Sequence, residues 1–140
     1  MKTFLKSSIA VTLVAIASAS FPAAAQMAYP EKCRSGMAKP GNTVMQEHDM
    51  SMSQMTDYQK ESMDGMKAMH ENMMQGMMKK DPDVSFVCGM IAHHMGAISM
   101  AEVELKHGDN ADAKAKAQKI IDDQTKEIEE MTAWVEKEVK

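Results

Sequence analysis

Proline is almost absent from the last two thirds of this 140-residue chain. From Val44 to the C-terminus it occurs once, at Pro82, among residues that mostly favour helix. Because an internal proline removes a backbone hydrogen bond and clashes with the preceding turn, a stretch without it can form long helices. The chain is therefore predicted to be all-α.

Capping signals divide this stretch into three helices. Thr56 and Gln59 form a capping box at the start of the first helix. Asp81 caps the second, which has Pro82 at its first position, the favoured place for proline in a helix. The predicted helices span about residues 56–79, 82–107 and 110–138. Short connections make neighbouring helices antiparallel, so we predict an up-down bundle.

The first 25 residues resemble a secretory signal peptide. Lys2 and Lys6 precede an apolar run from Ile9 to Ala19, and small residues allow cleavage after about Ala25. An uncleaved membrane anchor is the alternative, but the run is shorter than the ~20 residues that span a bilayer. We expect the cleaved protein in the periplasm or secreted, and no later segment is predicted to span a membrane.

The expected mature chain has one acidic domain. Residues 26–53 form an irregular arm that contains methionines, and residues 54–140 form the helical bundle domain. Without Lys2 and Lys6, 14 basic residues face 20 acidic residues, a net charge of −6. This charge argues against binding to nucleic acid or to an anionic membrane and favours cations.

Methionine takes the place of leucine in this chain. After residue 25 there are 17 methionines and one leucine, Leu105. Methionine packs flexibly and its thioether is a soft ligand, so both packing and metal binding are indicated. On a helical wheel the first helix's methionines and His70 cover ~180°, more than a core needs. Its central positions, predicted to be core and also able to bind metal, are Met66, Met73 and Met77.

A second group of donors precedes the first helix. The pattern H-x-M-x-M-x-x-M could wrap several soft atoms around one monovalent ion. A disordered polar tether is the alternative. The group consists of His48, Met50, Met52 and Met55, and would capture or pass ions together with Met66, His70, Met73 and Met77.

Adjacent histidines stand in the middle of the second helix. They could be ordinary core and boundary residues, but methionines surround them, and the third helix carries an amide in its apolar stripe. Neutral imidazole and thioether prefer copper(I), with silver(I) as analogue, to calcium or magnesium. The predicted ligands are Met90, His93, His94 and Met100, with Met131 opposite. Gln124 and Glu127 are predicted to orient them.

The same residues carry a family resemblance. The run from Phe86 to Ala101, followed by Gln124, Glu127, Ile128, Met131 and Trp134, resembles the exported bacterial DUF305 family. The family pattern is M-I-P-H-H-x-x-A-I-x-M-A, then Q-x-x-E-I-x-x-M-x-x-W. The resemblance implies a ferritin-like bundle that binds copper through methionine and histidine. Ala92 stands where the family often has proline.

The two cysteines leave two interpretations open. Cys33 lies in the arm and Cys88 near the start of the second helix. An even number of cysteines in an exported protein favours a disulfide, which would close a loop of 55 residues. The alternative is a thiolate copper ligand at Cys88, about one turn from Met90.

Other classes of function were weighed. One Glu-x-x-His spacing, Glu104 to His107, falls short of a di-iron site, and no nucleophile with a nearby base is evident, so no enzyme is predicted. A copper-redox activity and a methionine-rich module that binds hydrophobic partners without metal are the alternatives. Expected partners are the metal ion, a periplasmic copper exporter or acceptor protein, or a second copy of the chain.

Overall fold

Three helices account for most of the structure. The computed structural model describes residues 27–36 and 54–140; the predicted signal peptide and the group His48, Met50 and Met52 lie outside these ranges. The helices are α1 (Asp57–Met77), α2 (Pro82–His107) and α3 (Ala111–Glu138), and the arm contains a 3-10 turn, Glu31–Cys33. The described residues contain no strand, which confirms the all-α prediction, while the ferritin-like arrangement stays a prediction.

The capping residues act as predicted. Thr56 and Gln59 form the capping box, and Asp81 accepts hydrogen bonds from the backbone N–H groups of Asp83 and Val84. The predicted end of α1 was two residues late. The N–H of Lys79 bonds to Gly76 at 3.1 Å, which tightens the last turn, and Asp81 is extended because it precedes proline.

Helix α2 lies in the middle of a layer of three helices. It contacts α1 and α3 along its length, whereas α1 and α3 share few direct contacts. Gly96 lies under Met69 of α1 and His94 bonds to α3, and these two positions are about 160° apart around α2. By length and composition alone, α2 could cross a membrane. A central helix packed on two sides has the same apolar composition, so the prediction that no later segment spans a membrane stays a prediction.

Small residues bring α1 close to α2. A Cβ atom at Gly76 would lie 2.8 Å from the backbone carbonyl carbon of Cys88, and one at Gly96 would meet the side chain of Met69. The inward line of α1 therefore runs through Gly65, Met69 and Gly76. The predicted central methionines are displaced from it: Met66 is 44% exposed and Met77 is 57% exposed. Only Met73 of the three packs against the core.

The arm is tied to all three helices on one face of the layer. Cys33 and Cys88 form a disulfide, so the thiolate alternative for Cys88 is not realised. The hydroxyl of Tyr29 donates to the carbonyl of Cys88 at 3.1 Å. Lys32 donates to the carbonyl of Glu136, and Ser35 donates to the side chain of Gln75. We call the side that carries residues 27–36 the arm face, and the opposite side the outer face.

Within residues 27–36 and 54–140, the buried core contains no methionine. Its aliphatic members are Ile91, Ala92, Ala101, Ala117, Ile128 and Val135, and four of them, Ile91, Ala92, Ile128 and Val135, cluster with the disulfide and Tyr29. Methionines such as Met73, Met95 and Met131 pack around this centre and remain partly exposed. Methionine therefore packs around the buried core of the described residues and is not part of it.

The glycine contact between α1 and α2 makes a first prediction. Gly76→Ala should destabilise the protein by about 1–3 kcal/mol, because the added methyl group meets the backbone of α2. Gly89→Ala is the matched control: its Cβ would meet nothing within 4 Å, and losing a helical glycine should stabilise by about 0.5–1 kcal/mol. Urea unfolding measures both, and equal effects would contradict the assigned contact.

Tyr29 makes a prediction about pH. Burial raises the pKa of Tyr29 from 10.0 to about 12. Because the folded protein disfavours the phenolate, stability should be complete below pH 10.0 and fall as the pH rises towards 12. In the variant Tyr58→Phe, Tyr29 is the remaining tyrosine, and its phenolate absorbance should appear near pH 12. Half-ionisation at pH 10 in the folded protein would contradict its burial.

Candidate functional site

A histidine and a carboxylate join α2 to α3. The Nε2 atom of His94 lies 2.6 Å from Oε2 of Glu127. His94 is buried, with 7% of its surface exposed, whereas the side chain of Glu127 is about half exposed. Because a carboxylate only accepts hydrogen bonds, Nε2–H is the donor. The proton of the neutral imidazole is thereby held on Nε2, and Nδ1 carries the free lone pair.

Nδ1 of His94 is buried without a hydrogen-bond partner. Among the side-chain nitrogen and oxygen atoms of residues 27–36 and 54–140, it is the one that is completely buried and has no hydrogen-bond partner. Leaving such an acceptor unsatisfied costs about 1–3 kcal/mol. Metal-binding histidines commonly donate one ring N–H to a carboxylate and bind the metal through the other nitrogen. His94 has the donor, the carboxylate and the free nitrogen of that arrangement.

The helix register places two methionines one turn from this pair. Helices α2 and α3 are antiparallel, so a step of one turn towards the N-terminus of α2 and a step of one turn towards the C-terminus of α3 lead in the same direction in space. These steps lead from the pair His94–Glu127 to Met90 and Met131. Both lie about 6 Å along the axis from that pair and are half-buried. One turn the other way, Ala97 is level with Gln124. Of the two residues predicted to orient the histidines, Glu127 bonds to His94, and Gln124 lies one turn away.

His93 faces a different direction from His94. Its side chain is exposed, and the two rings are 5.9 Å apart between centroids at an angle of 63°. In the register set by Met69 over Gly96, His93 is level with Met73 and within about a turn of His70 on α1. His94 therefore lies between α2 and α3, and His93 lies on the side of α2 towards α1.

The predicted donors within the three helices lie on the outer face. Positions two residues apart in a helix point about 160° apart, and each outer donor is two residues from a residue on the arm face. Glu127 stands between Thr125 and Glu129, which line the arm-face cavity, and His93 is two residues from Met95, which also lines it. The same relation holds for Met66 and His70 with Ala68, for Met77 with Gln75, and for Met100 with Glu102.

These donors are spread along the face. Met100 is half exposed and lies ten residues from Met90, about 15 Å along the helix axis. Met66 is exposed in the middle of α1 and Met77 at its C-terminal end, and half-buried Met55 precedes that helix. Fewer of the predicted donors than expected therefore lie within about one turn of His94 along α2 and α3: Met90 and Met131, with His93 adjacent in α2.

The acidic residues do not form a cluster that could bind a hard cation. Across residues 27–36 and 54–140, no three side chains of histidine, cysteine, aspartate or glutamate converge on one point. A carboxylate-rich site for calcium or magnesium would need more oxygen atoms than Glu127 supplies. The chemistry available at His94 is that of one imidazole nitrogen and neighbouring thioethers.

The arm face carries a feature that sequence reasoning missed. A groove of about 1030 Å³ lies over α2 between α1 and α3. Its floor is apolar, with Met69, Met95 and Ile98, and its rim is acidic, including Glu61 and Glu102. Burial raises the pKa of Glu102. No motif marks this groove, because it results from α1 and α3 lying on opposite sides of α2.

Comparison with protein families gives one result. The model of the family described as Domain of unknown function (DUF305) matches residues 13–135, which include all of α1 and α2 and most of α3. A comparison with curated proteins gives no match.

His94 makes a prediction that separates a ligand from a structural residue. His94→Leu should leave the metal-free protein at least as stable, because it removes an unsatisfied buried nitrogen and leaves Glu127 free to be solvated. Ile91→Ala, in the same helix and fully buried, should lose about 2–5 kcal/mol. Urea unfolding in the presence of a chelator measures both. A loss of several kcal/mol in His94→Leu would assign the histidine to the fold.

Proposed function

The chain belongs to the DUF305 family, and we propose that it is a periplasmic copper(I)-binding protein that also takes silver(I). The observation that carries this proposal is the buried Nδ1 atom of His94, which has a free lone pair while Nε2 is held by Glu127. A nitrogen kept unsatisfied at the expense of stability is expected where a ligand completes its bonding. The proposal agrees with the chain's resemblance to CopM, a copper-resistance protein of this family.

The donor set favours a soft monovalent ion. One imidazole nitrogen with the thioethers of Met90 and Met131 would supply three neutral donors. Thioether sulfur selects copper(I) over zinc, calcium or magnesium, and neutral ligands suit an ion that carries only one positive charge. Glu127 would hold the His94 tautomer and raise the basicity of its free nitrogen.

The disulfide agrees with export of the protein, and export would favour thioether ligands. The Cys33–Cys88 disulfide is typical of an oxidising compartment, in which free thiolates are lost as copper ligands. Methionine cannot form disulfides, so thioethers keep their donor capacity there. We infer cleavage of residues 1–25 and a role in copper resistance, buffering or handover to a periplasmic acceptor or from an exporter. The role is binding and not catalysis.

The remaining donors have an auxiliary role in this proposal. His93, Met73 and His70 lie within about a turn of one another across α1 and α2 and offer a more open position on the same face. Met55, Met66, Met77 and Met100, with His48, Met50 and Met52, would capture ions or pass them to His94.

A second candidate function rests on the exposed apolar surface. Phe86 is 67% exposed, and Met77, Met78 and Met100 are each about half exposed. Methionine-rich surfaces adapt to varied hydrophobic partners, so the outer face could instead bind a protein or peptide without metal. That function would need neither the orphan nitrogen of His94 nor the carboxylate beside it.

Anaerobic titration with copper(I) against a chromophoric chelator tests the proposal. Met131→Leu should weaken copper(I) binding at least about tenfold, because leucine keeps the bulk of the side chain and removes the sulfur donor. Met95→Leu is the matched control, since Met95 also packs half-buried against the core but lies on the arm face. It should bind copper as the unaltered protein does.

Further variants separate the two candidate functions. His94→Leu and Glu127→Gln should both weaken copper(I) binding while the helical content stays unchanged. Equal affinity in Met131→Leu and Met95→Leu would remove Met131 from the site. A mature protein that takes up no copper(I) would exclude the metal-binding proposal and leave the hydrophobic interaction module.

A further inference from the structure

The methionines fall into two groups according to exposure. The described residues include thirteen methionines, and five have 39–57% of their surface exposed. The exposed group consists of Met63, Met66, Met77, Met78 and Met100. The other eight are partly buried, and Met27, Met73, Met95 and Met131 among them pack against the core.

The fold does not rely on the exposed sulfur atoms. In the part of the chain that the structure describes, the buried side chains other than His94 are aliphatic, aromatic or part of the disulfide, and none is a methionine. Both cysteines are paired, so the chain has no free thiol to react in their place. A chemical change at the exposed methionines would thus alter the surface and leave the packed centre unchanged.

Thioethers react with two-electron oxidants. A lone pair of the methionine sulfur attacks the terminal oxygen of hydrogen peroxide, an S–O bond forms and the O–O bond breaks. The hydroxyl proton transfers to the departing hydroxide, so the products are methionine sulfoxide and water. Sulfur loses two electrons and peroxide gains them. The product is polar, and methionine sulfoxide reductases reverse the change.

We propose that the exposed methionines of α1 and α2 form an oxidant-reactive surface, which peroxides convert to sulfoxides while the fold is retained. A polar sulfoxide is tolerated where the side chain already faces water, whereas the same change in a packed position disrupts a core. Sulfoxidation is therefore a reversible modification of this surface.

A second consequence rests on the proposed function. Met66, Met77 and Met100 lie on the outer face, and a sulfoxide is no longer a soft thioether donor. Oxidation should therefore first remove the three exposed auxiliary donors, Met66, Met77 and Met100. Met90 and Met131 beside His94 are more buried and should keep their sulfur donors until the oxidant dose is higher. Oxidants would lower the capacity for copper(I) before they affect the His94 site.

Graded treatment of the metal-free mature protein with hydrogen peroxide tests the modification. Peptide mapping by mass spectrometry should find sulfoxide at the five exposed positions several-fold faster than at Met73, Met95 and Met131. After the fast phase, the circular dichroism spectrum and the urea midpoint should be those of untreated protein. Equal rates in both groups, or unfolding during the fast phase, would overturn the proposal.

A variant with leucine at the five exposed positions is the matched control. It should fold with the same helical content, and peptide mapping should find no fast phase of sulfoxide formation within residues 54–140. A fast phase that persists in that range would assign the reactive sulfur to other positions and refute the proposed surface.

Copper(I) titration of the oxidised protein separates the two proposals. Protein oxidised through the fast phase should bind fewer copper(I) ions, and treatment with methionine sulfoxide reductase should restore the number. Unchanged copper capacity after oxidation would overturn the second consequence. If untreated protein binds no copper(I), the proposed function fails, and the order of oxidation and the retained stability still decide whether the surface exists.

Discussion

The disulfide between Cys33 and Cys88 determines which side of the helix layer is covered. Cys88 belongs to the central helix, so this single bond holds the arm against the element that both other helices contact. A crosslink that closes a loop of 55 residues contributes about 4 kcal/mol in the chain-entropy model. Tyr29, Lys32 and Ser35 then bond to α2, α3 and α1 respectively. With the arm on one face, the opposite face is left for exposed donors.

The arm face is stabilised by the disulfide and by hydrogen bonds, whereas several residues of the outer face lower the stability of the protein. A core built for stability alone would place leucine or isoleucine where Met90 and Met131 stand, and an apolar residue at His94. The chain instead buries an imidazole with one nitrogen unsatisfied and exposes Phe86 and several methionines. These choices lower stability and raise the tendency to associate, so they indicate that the residues have another use. The aliphatic centre around Ile91, Ile128 and Val135 offsets them.

Two neighbouring histidines illustrate the limits of sequence reasoning. Adjacent residues point about 100° apart around a helix, so both histidines were predicted to line one site only if that site lies between helices. In the structure His94 is buried against Glu127, and His93 is exposed on the side towards α1. Gln124 and Glu127 were both predicted partners, and Glu127 is the one that meets His94. The register between the two helices decides this choice, and no pattern within either helix specifies it.

Local residue preferences predict the class of fold and nearly all the ends of the three described helices, because capping residues and proline act within a few residues of their own position. The residue types available as soft donors are likewise evident from the sequence. The packing of the helices sets the orientation of α1: Met69 and Gly76 face inward while Met66 and Met77 face solvent, and α1 approaches α2 closely at Gly65, Gly76 and Gly96. Packing also brings Glu127 to His94 and places the arm on the other face. These outcomes depend on how separate helices fit together, and local residue preferences carry no information about that fit.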